Sequence, residues 1–271
     1  MRDLPPIVYT IAGSDSCSGA GAQIDLKVFS KLNIHGCTIV TVITAQNTIG
    51  VNDVFYLPNK IIEDQYKSII DEFPPNAIKI SMLGNGIEII SEKLKNLRKS
   101  IIFDPVINST SNYNFINEDQ LSKIKKDILP LCTLITPNLP EAKKLIGRNN
   151  LSIEDTAKCI MDYGPSFVLI KGGHSNGNNC SDFLYDGENK LFLESPRIKN
   201  KSFHGTGCIL SAAITSFISM NKSVIDSTIE AKTYLNQLLN TSYKFGNGSR
   251  LISVEAPCND SYYKPNILCV D

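Results

Sequence analysis

Short strands and helices alternate along most of this 271-residue chain, and that alternation predicts an α/β fold. The strands are continuous apolar runs rather than strictly alternating ones, as expected where both faces of a mostly parallel sheet are covered by helices. Glycine-rich loops follow at the carboxyl ends of the strands, where open α/β sheets bind their ligands. A single domain spanning 1–271 is expected, with a tail from about 254 left unassigned.

The elements follow in order. Ile7 to Ala12 is an apolar run that breaks at Gly13-Ser14-Asp15, a buried strand entering a loop. From Gly21, residues Ile24, Val28, Phe29 and Leu32 recur at helical spacing. Cys37 to Ile43 is rich in Thr, Val and Ile and predicts a strand. Ile61 to Phe73 predicts an amphipathic helix with Ile61, Ile62, Tyr66, Ile69, Ile70 and Phe73 on one face. Further strands are expected at Ala77 to Met82, Ser100 to Phe103, Cys132 to Ile135 and Phe167 to Ile170. Helices are expected at Asn117 to Asp127, Pro140 to Ile146 and Ser152 to Tyr163, the last with Ser152 as N-cap and acids in its first turn. Asp182 to Tyr185 and Lys190 to Glu194 form a hairpin through Asp186-Gly187. Gly207 to Met220 and Val224 to Leu239 close the core as helices, and from about Pro257 no period is visible.

Composition removes several classes of function. Lys+Arg and Asp+Glu number 27 each, so the formal net charge is zero and nucleic-acid binding through bulk charge is not expected. A hydrophobic content of 42% with 20% charged residues excludes global disorder. No stretch of about 20 mostly apolar residues suits a membrane span. An acid and two prolines near the N-terminus, Asp3, Pro5 and Pro6, stand where a signal peptide needs an apolar core. The 8 cysteines form no Cys-x-x-Cys pair and His numbers only 3, which argues against zinc. Scattered thiols fit a reducing cytoplasm.

Two glycine-rich segments stand out. Gly13-Ser14-Asp15-Ser16-Cys17-Ser18-Gly19-Ala20-Gly21 joins a strand to a helix, but matches neither the P-loop nor the dinucleotide fingerprint. Gly205-Thr206-Gly207-Cys208 opens a helical run, so its free N–H groups and the helix dipole suit the charge of a transferring phosphoryl group. Cys208 at that helix start is either a packed thiol or a base with a lowered pKa. Asp104, after a strand, and Glu141, in the first turn of a helix, either cap backbone or hold Mg²⁺ through water. Lys171 precedes Gly172-Gly173 and is either a surface lysine or a phosphate contact. His35, His174 and His204 suggest no triad and are expected to be structural or peripheral.

At these residues the chain resembles the hydroxymethylpyrimidine/phosphomethylpyrimidine kinases of thiamine biosynthesis, in the ribokinase-like superfamily. The similarity runs from about Ile7 to about Leu239. Its carriers are Ala12-Gly13-Ser14-Asp15, Gly19-Ala20-Gly21 with Gln23 and Asp25-Leu26-Lys27, Thr44-Ala45-Gln46-Asn47-Thr48, Lys79-Ile80 with Met82, Asp104-Pro105-Val106, Thr136 to Ala142, Lys171-Gly172-Gly173-His174 and His204-Gly205-Thr206-Gly207-Cys208. The resemblance implies a ribokinase-like three-layer sandwich, with ATP and Mg²⁺ as cofactors, a small pyrimidine substrate and a homodimer. It implies that Gly13, Asp25, Gln46, Met82 and Val106 line the pyrimidine pocket. The Gln46 amide suits a donor to a ring nitrogen and an acceptor from the 4-amino group at once. Asn138 and Lys171 are implied in ATP binding, with Asn138 also beside Asp104 and Glu141 at the metal. Gly205, Thr206 and Gly207 are implied as an anion hole and Cys208 as catalytic base or proton relay. Two rival expectations remain: a pyridoxal kinase carrying the same Gly-Thr-Gly-Cys motif, and a non-catalytic pyrimidine-binding regulatory protein. The joint presence of Asp104, Glu141, Lys171 and Cys208 speaks against the second. The Phe55-Tyr56-Leu57 segment is the expected dimer edge.

Overall fold

The computed structural model describes residues 4–108, 113–174, 177–198, 201–255 and 263–270. Its main sheet uses β1 (Ile7–Asp15), β2 (His35–Gln46), β3 (Val51–Tyr56), β4 (Ala77–Ile80), β5 (Ser100–Phe103), β6 (Leu134–Ile135), β7 (Phe167–Ile170), β8 (Asn179–Tyr185), β9 (Lys190–Pro196) and β12 (Asn266–Val270). A small antiparallel pair, β10 (Ser242–Tyr243) and β11 (Leu251–Ile252), lies apart from it. The order across the main sheet is β12-β9-β8-β7-β6-β5-β4-β1-β2-β3. Every pair from β7 through β2 is parallel, while β3, β8, β9 and β12 add antiparallel margins. The helices are α1 (Gly21–Lys31), α2 (Asn59–Ile70), α3 (Ile87–Leu94), α4 (Glu118–Lys123), α5 (Leu139–Ile146), α6 (Ile153–Met161), α7 (Thr206–Ser219) and α8 (Val224–Leu238).

Side chains of the central strands point alternately to the two faces, and both faces are apolar. Tyr9, Ile11, Ile78, Ile80, Ile101 and Phe103 join the core beneath α2 to α6. Val8, Ala77, Ile102 and Leu134 join the opposite core with α1, α7 and α8. This is the expected three-layer sandwich. Helix α7 is buried almost all round, which explains why its sequence is apolar and small instead of amphipathic.

Element boundaries match the sequence expectation within a few residues, and Ser152 does cap α6, accepting from the Asp155 N–H. The differences have local causes. Val51–Tyr56 pairs with β2 as an edge strand, although its exposed polar residues hid it. Ile87–Leu94 is a helix too short for its period to stand out. The helix expected over Asn117 to Asp127 loosens into a π-helical turn at Ile124–Ile128. Ile61 is 46% exposed, so the buried stripe of α2 starts at Ile62. The tail, expected to be featureless, lays Asn266–Val270 along β9 and covers that edge; 256–262 lie outside the described residues.

Candidate active site

The carboxyl ends of the parallel strands surround a cavity of about 240 Å³. Its near wall begins at the end of β1. The ionised Asp15 side chain accepts N–H bonds from Cys17 at 2.9 Å, Gly19 at 3.1 Å and Ala20 at 2.8 Å, folding the loop back over itself. Burial by itself would raise this carboxyl, but the His204 contact and the Cys17 N–H outweigh it and hold it below the usual carboxylate range. Gly21 has φ +60° and a Cβ there would stand 2.4 Å from the Gly13 carbonyl oxygen, so the loop closes only on glycine.

The opposite wall is the start of α7. Gly205, its N-cap, has φ +83°, and a Cβ would lie 1.8 Å from the Gly19 carbonyl oxygen. The two glycine-rich loops therefore touch backbone to backbone. Beyond Gly205, the first-turn N–H groups of Thr206, Gly207 and Cys208 have no partners within the helix and lie at its positive end. A Cβ on Gly207 would come within 3.0 Å of Lys171 Nζ, so the lysine reaches over the helix start.

The floor carries buried charge in alternating sign. Asp25, on the inner face of α1, pairs with Lys79 of β4 and accepts from Thr10 Oγ1 at 2.6 Å. Burial works against the Lys79 ammonium, but Asp25 and Asp104 hold it charged. Asp104, 2% exposed after β5, accepts from Lys171 Nζ at 2.7 Å, Thr136 Oγ1 at 3.2 Å and Ser211 Oγ at 3.1 Å. Burial opposes its ionisation, yet Lys171 and Lys79 outweigh it and keep the carboxyl low. Lys171 follows β7, and its own pKa is raised because Asp104 and Glu141 overcome the cost of burial.

Asn138 and Glu141 form a reciprocal capping box at the start of α5: Glu141 N donates to Asn138 Oδ1 at 2.9 Å and Asn138 N donates to Glu141 Oε2 at 2.7 Å. The capping alternative is thus realised for Glu141, and a carboxylate retains lone pairs beyond those two bonds. Burial pushes the Glu141 carboxyl up to about 7, with Lys171 pulling down and Asp104 pushing up.

All the residues expected at the site line this cavity except Asp25. Asp25 is fully buried beneath it, turned by α1 onto Lys79, so its place in the pyrimidine wall is corrected to a support under the floor. Gln46 ends β2 at a register shift opposite β3 that re-aims its side chain, and Ser16 Oγ pins its backbone on both sides. Met82 packs against Gly13, where a Cβ would meet its sulfur at 3.1 Å. Cys208 is buried in the first turn of α7, but its expected acidity is corrected. Burial pushes the thiol up to about 11, with nearby Lys79 pulling it down less than burial raises it.

His204 is corrected too. Far from peripheral, it lines the cavity, with Nε2 at 2.9 Å from Asp15 Oδ2 and 2.9 Å from the Gln46 amide. Its position just before Gly205 is the signal that could have pointed to it. Asp15, Cys17 and His204 offer ligand-type atoms within 4.8 Å of one another, but the Asp15 oxygens already accept several N–H bonds. Phe115 also reaches the cavity, from a segment tied back by a bridge between Asn108 and Asn114, and nothing in the sequence pattern pointed to it.

Comparison with known proteins supplies a context for this geometry. A family model described as phosphomethylpyrimidine kinase matches residues 15–253. The chain is 35% identical over 252 residues to a hydroxymethylpyrimidine/phosphomethylpyrimidine kinase of Aquifex aeolicus, covering 91% of this chain and 99% of the relative. Among solved structures, the pyridoxal kinase of Staphylococcus aureus in complex with AMP-PCP and pyridoxal superposes with a TM-score of 0.86 at 30% identity, covering 98% of each chain. A phosphomethylpyrimidine kinase from Clostridium difficile superposes at 0.74 with 35% identity, over 86% of this chain and 99% of its own.

Proposed function

The chain belongs to the phosphomethylpyrimidine kinase family, and from that premise we propose that it transfers the γ-phosphoryl group of ATP to the primary hydroxyl of 4-amino-5-hydroxymethyl-2-methylpyrimidine, and then to the monophosphate, in thiamine biosynthesis. One observation carries the assignment of roles. The unpartnered start of α7, the Lys171 ammonium and the polar Gln46 edge all face one small cavity.

The pyrimidine lies against Gly13, Gln46, Met82 and Val106. Its hydroxyl points toward Cys208 and the Gly205–Gly207 backbone, whose N–H groups receive charge as it develops on the phosphoryl oxygens. Lys171 and Asn138 meet the nucleotide phosphates. The acids suit a hard divalent cation as buried oxygen donors, and Asp104, with its oxygens engaged by Lys171, Thr136 and Ser211, would serve through water. Glu141 and Asp104 would hold Mg²⁺, which would supply charge neutralisation for the phosphates.

The test is a coupled assay with ATP and each of three substrates: the pyrimidine alcohol, its monophosphate and pyridoxal. The expected order of kcat/KM places the pyrimidines above pyridoxal. The likeness to a pyridoxal kinase along nearly the whole chain keeps the B6 alcohol as the second reading, and pyridoxal in first place overturns the first.

A proton and a cation compete for Glu141. With the carboxyl near 7, lowering the pH to about 6 protonates it and raising the pH to about 8 frees it. The Mg²⁺ concentration giving half-maximal rate should therefore fall as pH rises across that window. In Glu141→Gln it should be higher and flat with pH. The same slope in both proteins moves the metal site elsewhere.

The homodimer that we propose pairs through the β3 edge. Ile43 and Phe55 stand opposite each other in the β2–β3 register and are 46% and 62% exposed, an apolar patch on an unpaired edge strand. Phe55→Asp should sediment as a monomer with an unchanged circular dichroism spectrum. A variant that still sediments as a dimer moves the interface. We assign the protein to the cytoplasm, where its scattered thiols stay reduced. Among the described residues no helix is long and apolar enough to cross a membrane.

A further inference from the structure

His204 Nε2 stands between two neighbours, Asp15 Oδ2 at 2.9 Å and Gln46 Nε2 at 2.9 Å. One nitrogen cannot satisfy both as they stand. Asp15 is an acceptor only, because backbone N–H groups from Cys17, Gly19 and Ala20 converge on its ionised carboxylate. His204 Nε2 therefore carries a hydrogen directed at Asp15. An unprotonated Nε2 would set a lone pair against a carboxylate oxygen in a buried place, where Asp15 is 3% and His204 8% exposed. A protonated Nε2 cannot accept from an amide NH₂. The two ends of a carboxamide have the same shape and exchange by a half-turn, and the half-turn places the Gln46 carbonyl oxygen against the shared Nε2–H.

We infer that Asp15 and His204 are positioning residues that fix the Gln46 amide with its carbonyl turned away from the substrate and its NH₂ turned into the cavity. The inference rests on the proposed pyrimidine contact of Gln46. It changes what that contact recognises. Gln46 does not hold both halves of the aminopyrimidine edge; it offers donors only. Its partner is the ring nitrogen beside the 4-amino group, and the amine itself finds its acceptor on another group.

The chain of contacts also gives the two glycine-rich loops a shared purpose. Asp15 belongs to the first loop and His204 to the second, while Gly19 fits against the imidazole so closely that a Cβ would meet its Cδ2 at 2.4 Å. Closing the loops on each other sets the imidazole, and the imidazole sets the amide.

The experiment compares wild type and Gln46→Leu on three substrates: the parent pyrimidine, an analogue without the 4-amino group, and an analogue with C–H in place of the neighbouring ring nitrogen. Gln46→Leu should lower kcat/KM about tenfold or more on the first two and leave the third unchanged, because only the third has already lost the acceptor. A penalty that disappears on the amine-free analogue and persists on the C–H analogue overturns the amide orientation while leaving the pyrimidine contact intact. No penalty on any of the three overturns the contact itself, and the inference with it. His204→Phe keeps a ring against Gly19 but removes the N–H. It should raise KM for the parent pyrimidine about tenfold with kcat retained, and its effect should not add to that of Gln46→Leu. Additive losses overturn the part given to His204. The analogue series stands without this variant if its fold fails.

Discussion

Gly205→Ala should abolish measurable phosphoryl transfer and lower the melting temperature. Two independent costs meet at this residue. Its φ of +83° strains any L side chain, by about 1–3 kcal/mol for a residue held in such a region. A Cβ would also lie 1.8 Å from the Gly19 carbonyl oxygen, which is backbone and cannot rotate aside as a side chain would. Relief requires the two loops to separate. That displaces the first turn of α7, whose N–H groups we propose receive the phosphoryl charge, and losing one such donor costs about 10²–10³ in kcat. Steady-state kinetics and thermal unfolding on the same preparation test both halves. Turnover near that of wild type would show that phosphoryl transfer does not occur at the start of α7.

Cys208→Ala should lower kcat about 10²-fold or more while nucleotide affinity, measured by calorimetry, is unchanged. The thiol is held up at about 11, so near pH 7 only about one molecule in 10⁴ carries a thiolate. A waiting base is therefore the weaker account, and a relay through the neutral thiol the stronger. The two differ in their pH dependence. Thiolate catalysis makes kcat climb about tenfold per pH unit above neutrality, whereas a relay leaves it level there. A level profile is expected, together with partial recovery in Cys208→Ser, since a hydroxyl also passes a proton. Near-normal turnover in the alanine variant would return Cys208 to packing.

Much of this was legible in the sequence, for reasons that differ by residue. Fold class followed from apolar runs such as Ser100 to Phe103, because burial on both faces leaves an unmistakable composition. The helix start at Gly205 to Cys208 was legible because glycines directly ahead of an apolar helical run mark one. Asp25 misled: an acid one turn into a helix after a glycine loop has the same pattern whether it faces a cavity or a buried lysine, and only the pairing with Lys79 decides. His204 misled in the opposite direction, since its partners Asp15 and Gln46 are distant in sequence. The acidity of Cys208 was misjudged because helix position is local and visible, while burial is a property of the whole fold.

The alternating row of Asp25, Lys79, Asp104 and Lys171, with Glu141 beside its end, has a bearing on how the resting protein meets its surroundings. Each cation in the row is matched by an acid. The row itself thus offers inorganic phosphate little uncompensated positive charge, and the positive end of α7 lies beyond it. In the proposed assignment a nucleotide would gain Lys171 only by displacing part of its pairing with Asp104, a trade that would favour a ligand bringing its own counter-cation and fitting the remaining walls. Discrimination against small anions would in this sense reside in the floor of the sheet, in the pairing of Lys171 with Asp104.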